Sequence, residues 1–169
     1  MSTQITRATL SDAPELLALH RTILEEERYF ITSAEEFHNS LERQRGLMRQ
    51  LLNQENSCQL LARQDGRLVG MVLIRGGFLL RMEHIGKLEI FLHADCRGEG
   101  TGRVLMEQAL DWAREHAVLS KVGLTVFEDN TRAVGLYRSM GFQIEGRRVG
   151  EYREHDGTLR NDLLMWIAV

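Results

Sequence analysis

A chain of 169 residues with 43% apolar and 27% charged side chains has the size of one domain with a core of its own, and residues 1–169 read as a single domain. A formal net charge of −3 provides no basic field for nucleic acid, and no leader peptide or membrane-length apolar run is visible. Two cysteines without C-x-x-C and six histidines without H-x-x-x-H or H-E-x-x-H offer no metal-ligand spacing, so the expectation is a reducing, cytoplasmic setting with no metal.

In chain order, Gln4 to Ala8 alternates as a short strand, and Ser11 is placed to cap a helix with Asp12 and Pro14 in its first turn and Leu16, Leu17 and Leu19 facing inward. The stretch from Glu25 to Ser33 is charged, then aromatic, then rich in turn formers; it ends that helix and reads as a substrate rim. The run Glu25-Glu26-Glu27 has two readings, an attractor for a cationic amine or a solvated helix face. Helical character returns from Ala34 to Asn53. Two strands, Cys58 to Arg63 and Leu68 to Ile74, flank Gln64-Asp65-Gly66-Arg67, where Asp-Gly marks a hairpin.

After a looser connection from Gly76 to Gly86, the alternating segment Lys87 to His93 leads through Arg97-Gly98-Glu99-Gly100-Thr101-Gly102 into a helix from about Gly102 to His116, and the chain returns along Val122 to Phe127. This is a strand, helix, strand unit with parallel strands. Glycines between a strand and a helix let bare amides approach a ligand, and the first turn of a helix favours phosphate. The loop therefore reads as a phosphate cradle. It is not the dinucleotide fingerprint, because Arg103 stands where the third glycine belongs, nor the G-x-x-x-x-G-K-[ST] loop. A short helix with Ala133 and Tyr137 follows, then strands from Phe142 to Arg153 and Leu159 to Val169. The fold class is α/β, a central mixed sheet flanked by helices.

Arg97-x-x-Gly100-x-Gly102, followed by Asn130-Thr131-Arg132-Ala133-Val134-Gly135-Leu136-Tyr137 through Gly141-Phe142, resembles the GCN5-related N-acetyltransferase (GNAT) superfamily, and the carboxy-terminal portion, from Leu124-Thr125-Val126-Phe127 through Gly141-Phe142-Gln143-Ile144-Glu145-Gly146 to Asp162-Leu163-Leu164-Met165, resembles its branch acting on amino acids and similar small amines. The resemblance implies a mainly antiparallel sheet with one parallel, splayed strand pair. It also implies acetyl-coenzyme A as co-substrate, held by Arg97, Gly98, Glu99, Gly100, Thr101, Gly102 and Arg103 at the diphosphate and by backbone groups of Ile90, Phe91 and Leu92 along the pantetheine arm. Tyr137 falls on the family's general-acid position and Asn130 on its coenzyme-contacting asparagine. Packing alone is the alternative reading of Tyr137, and a helix cap is a second role for Asn130.

Direct attack on the thioester by a primary amine needs a proton acceptor. Glu89 is the candidate, since on an alternating strand it shares a face with Phe91, and a carboxylate among apolar neighbours can have a raised pKa; water is the alternative. Some relatives that acetylate protein N-termini carry a glutamate where this chain has Thr125, which cannot serve as that base and so argues against a ribosomal-protein substrate; the resemblance of the carboxy-terminal portion to the small-amine branch ranks a small-molecule acceptor above a peptide. A coenzyme-binding sensor without transfer is the rival from another class. Cys96, beside Arg97, reads as a packing residue, and His84 and His93 as surface or edge residues. Dimers are frequent in the superfamily, so a homodimer is possible.

Overall fold

The computed structural model describes residues 3–26 and 28–169. Glu27 of the acidic run lies outside the described residues. Among the described residues, seven strands, β1 (Thr3–Arg7), β2 (Cys58–Gln64), β3 (Arg67–Gly76), β4 (Ile85–Leu92), β5 (Lys121–Phe127), β6 (Gln143–Arg153) and β7 (Leu159–Ala168), form one sheet in the order β1-β2-β3-β4-β5-β7-β6. All neighbours are antiparallel except β4 and β5. The expected β2–β3 hairpin is present, its turn made by Asp65 and Gly66 at φ 49° and 83°.

The parallel pair positions the site. β4 and β5 pair only over Ile85–Lys87 and Lys121–Gly123, and from Leu88 and Leu124 onwards they diverge. The splay that the family resemblance implies is therefore a register fact of this sheet. A gap between strands exposes backbone donors and acceptors that a continuous ladder would consume.

Helices cover both faces. On one, α3 (Thr101–Glu115) buries Leu105, Met106, Ala109, Leu110 and Ala113, a stripe at helical spacing, against Leu60, Ala62, Val72, Ile74, Leu88, Val122 and Leu124. On the other, Leu16, Leu19 and Ile23 of α1 (Ala13–Leu24) and Met48 of α2 (Leu41–Leu52) pack on Leu61, Met71, Leu73 and Phe91. A fourth helix, α4 (Thr131–Ser139), stands beside the splay.

Two sequence expectations are corrected. Ser11 does not cap α1; Asp12 accepts the Thr9 N–H at 2.7 Å, closing a short turn over Leu10–Asp12 that feeds directly into the helix. The second helix begins at Leu41 rather than Ala34, because Ser40 accepts the Arg43 N–H at 3.1 Å and starts it there, while residues 34–40 remain turns and irregular chain.

Candidate active site

The glycine turn has the features of an anion cradle. Gly98 and Gly100 sit at φ 91° and 90°, conformations that side-chain-bearing residues rarely adopt, and Gly100 is the N-cap of α3. Backbone hydrogen bonding stops at Arg97 N–H to Ala94 O (3.2 Å) and resumes at Val104 N–H to Gly100 O (3.1 Å). Among the described residues, the amides between them take no backbone acceptor. An ideal Cβ on Gly102 would lie 2.9 Å from Leu92 Cδ1, and one on Gly100 would project into open space. These features fit a diphosphate lying against main chain.

The individual loop residues divide. Glu99 is exposed, and Thr101 is buried with its hydroxyl accepting from Gln64 Nε2 at 3.2 Å, so what Thr101 offers a ligand is its amide. Arg103 lines the groove above the loop and donates to Ser139 Oγ at 2.8 Å. Arg97 departs from its expected role. Its guanidinium is held by both carboxylate oxygens of Glu26, at 2.6 and 2.7 Å, and donates from Nε and a terminal nitrogen to Leu92 O at 2.9 and 2.8 Å. The side chain braces the end of β4 instead of projecting a free charge. Glu26 is exposed but correspondingly committed to Arg97, and so is not a free attractor for an amine. Arg28 and Arg132, which the motif does not single out, add two cations to the groove.

Two cavities meet at the splay. The groove over the glycine turn has a volume of about 530 Å³. A second, of about 500 Å³, lies on the α1/α2 face of the sheet. Tyr29, Phe30, Ile90, Phe91, Asn130 and Tyr137 line both.

Tyr137 is 8% exposed, and burial alone pushes its phenol up to about 12, so it remains a protonated donor at any physiological pH. Its ring packs on Phe142, with centroids 5.8 Å apart. Asn130 caps α4, its Oδ1 accepting the Ala133 N–H at 3.3 Å, while it also lines both cavities.

β4 contributes alternately. His93 N–H bonds Val69 O at 2.8 Å, and in the regular β3–β4 register this turns the backbone groups of Glu89 and Phe91 towards β3 and those of Leu88, Ile90 and Leu92 towards the splay. The expectation for Phe91 is corrected accordingly: it contributes its buried ring to both cavities, not a free amide. Ile90 turns both its N–H and its carbonyl towards the splay, and Leu92 its N–H, since Arg97 occupies its carbonyl.

Glu89 lines the second cavity but is exposed, not set among apolar neighbours. Thr125 lines the same cavity from β5. Around it His20 stacks on Phe91 (5.0 Å) and tilts against Phe37 (4.5 Å), and burial pushes the His20 pKa down, favouring the neutral ring.

Cys96 is buried, donates its thiol to Gln64 Oε1 at 3.2 Å and is pushed up by burial, which makes it a packing residue. His93 contacts an Arg67 nitrogen at 2.8 Å, and His84 is exposed.

Local pattern does not reveal Tyr152, which enters the second cavity from β6. Its hydroxyl donates to Asp162 Oδ2 at 3.0 Å; Asp162 is 0% exposed and paired with Arg148. The available signal is the charge itself, since Asp162 stands next to the apolar run Leu163-Leu164-Met165-Trp166 of its strand, and a carboxylate buried there requires a partner. Arg160 is a second such residue. It lies over the Phe127 ring (4.1 Å to the centroid) and donates to Arg28 O and Asp129 Oδ1, both at 2.7 Å, fastening the α1–α2 connection over the junction.

The model of the acetyltransferase (GNAT) family matches residues 18–142. A peptidyl-lysine N-acetyltransferase of Salmonella typhimurium is 45% identical over 74 residues, 43% of this chain and 44% of that protein. An L-amino acid N-acetyltransferase of Escherichia coli is 31% identical over 100 residues, 56% of this chain and 62% of that protein. The matched segments thus span about half the length of these relatives. A GNAT-family acetyltransferase structure from Streptococcus pneumoniae aligns over 99% of this chain and 100% of its own, with a TM-score of 0.95 at 28% identity. Among the described residues, no helix is long and apolar enough to cross a membrane.

Proposed function

From the premise that this chain belongs to the acetyltransferase (GNAT) family, we propose that it is an acetyl-coenzyme A-dependent N-acetyltransferase whose acceptor is the primary amine of a small molecule, an amino acid or a related compound. The observation that carries this reading is the meeting of the two cavities at Tyr137 and the β4–β5 gap. One cavity is floored by free amides. The other is a recess of about 500 Å³, the size of small-molecule sites and lined largely by aromatic and aliphatic side chains.

Acetyl-coenzyme A supplies an acyl group activated as a thioester. The amides from Gly98 to Arg103, with Arg28, Arg103 and Arg132 nearby, hold the diphosphate. Ile90 and Leu92 present backbone hydrogen bonds to the arm and the acyl carbonyl. A fixed donor at that carbonyl is worth on the order of 10²-fold in rate. Tyr137 donates a hydrogen bond to the departing sulfur; its raised pKa suits it to sharing its proton while remaining neutral. Glu89, at the open side of the recess, takes the amine's proton directly or through water. The aromatic wall of His20, Phe30, Phe37 and Phe91 excludes solvent from the amine.

The relatives' names divide between peptidyl lysine and free amino acids, and the recessed cavity supports the small-molecule side. An acceptor screen with acetyl-coenzyme A, following thiol release across amino acids, diamines, aminoglycosides and lysine peptides, tests the reading. Release with small amines is the expected result. Release with peptides alone would overturn the acceptor class, and coenzyme binding without release for any amine would leave a sensor.

A further inference from the structure

The second cavity contains two polar groups that the chemistry above does not use. Gln59 of β2, 7% exposed, and Asn39, just before α2, both line it. Gln59 Nε2 approaches Met71 Sδ at 3.4 Å, and a thioether can only accept, so the orientation of the amide is fixed with Oε1 left over. Asn39 Nδ2 donates to Gln44 Oε1 at 2.7 Å, which leaves Oδ1. Both oxygens are shielded from solvent and accept no hydrogen bond from the described residues. Buried acceptors ordinarily find a donor. Two orphans among the residues lining one cavity, one from the sheet and one from the α1–α2 connection, mark a place where an occupant brings the donors.

Register sets where that place is. Gln59 is opposite Leu73, and Leu73 is opposite Glu89. Two strand spacings put Gln59 roughly 10 Å from Glu89 across the sheet, away from the junction with the coenzyme groove. Between them lies an apolar stretch that includes Leu73 and Met71.

Resting on the reading of this cavity as the acceptor site, we propose that Gln59 and Asn39 form a distal subsite selecting acceptors that carry a second N–H-bearing group, an amide or an ammonium, about five carbons from the reacting amine. Two carbonyl oxygens repel a carboxylate at that end and leave an alkyl end with unpaired partners. Arg75, a cation that also lines this cavity, is exposed, so a carboxylate would have to be bound there instead.

The test uses pentylamine and its ω-amide, ω-ammonium and ω-carboxylate analogues, with binding to the coenzyme-loaded protein followed by calorimetry and turnover by thiol release. The amide and ammonium compounds should lead pentylamine by roughly tenfold in affinity. Gln59→Leu should erase that lead, and Gln59→Glu should favour ammonium over amide. Asn39→Leu provides a second variant outside the sheet should Gln59→Leu fail to fold. Equal binding of all four compounds, a leading carboxylate, or an unaltered ratio in folded Gln59→Leu or Asn39→Leu overturns the subsite. Selective binding without thiol release would uphold the subsite and remove the transferase reading; release without selectivity would do the reverse.

Discussion

Removing the Tyr137 hydroxyl separates chemistry from packing, because the two have opposite signatures at this residue. The ring is buried against Phe142 and the hydroxyl reaches the junction of the two cavities. Tyr137→Phe keeps the ring, so stability at pH 8 should change by no more than about 0.5 kcal/mol. A proton donor to a leaving group contributes about 10²- to 10⁴-fold, so kcat should fall by that factor with KM little changed.

A pH experiment checks the environment independently. In the fold the phenol is pushed up to about 12 from its ordinary value of 10.0. Between those values the unfolded chain loses the proton while the native state keeps it, so stability declines as pH rises, by about 1.4 kcal/mol at pH 11 from this group alone. Urea denaturation at pH 8 and pH 11 should show wild type losing that much more than Tyr137→Phe. Full-speed turnover by Tyr137→Phe refutes the donor role, and equal pH losses refute the buried setting.

Gly100→Val forces a β-branched residue to φ 90° and fills open space over the loop; coenzyme affinity measured by calorimetry should be abolished in a folded protein, and wild-type affinity would remove the cradle. Gly135 in α4 is the contrasting glycine, exposed and with nothing within 4 Å of where a Cβ would stand, so Gly135→Ala should raise stability by up to about 1 kcal/mol, seen as a few degrees in Tm, with turnover intact. Glu89→Gln should depress kcat/KM and alter the acid side of its pH profile; a profile identical to wild type would assign the proton to water.

What the sequence discloses follows from how local each feature is. The glycine turn, the Asp65-Gly66 hairpin and the stripe on α3 are determined by residues within a few positions of one another, and each is found where the pattern predicts. Ala34, Glu35 and Glu36 are helix formers, which is why the pattern places the second helix too early; Ser40, with an extended backbone and an oxygen for the Arg43 N–H, decides the start. The role of Arg97 is illegible for a different reason. Its motif position suggests a free cation, but its partner Glu26 is 71 positions away, and only the folded chain brings them together.

The same logic locates specificity. The coenzyme side of the site is built from contiguous motifs around the splay, so it can be read in one dimension. The acceptor side is assembled from the α1–α2 connection, the edges of β2 and β3, and the β6–β7 hairpin, with Arg160 fastening the first of these to Asp129. Substitutions in that connection can therefore change which amine fits while the glycine turn, Tyr137 and the β4–β5 gap stay as they are. A swap of residues 31–40, which line the acceptor cavity alone, between two members of this family should then carry acceptor preference with it and leave coenzyme affinity behind; a swap that moved coenzyme affinity and left acceptor preference in place would show that the two cavities are not separable as their walls imply.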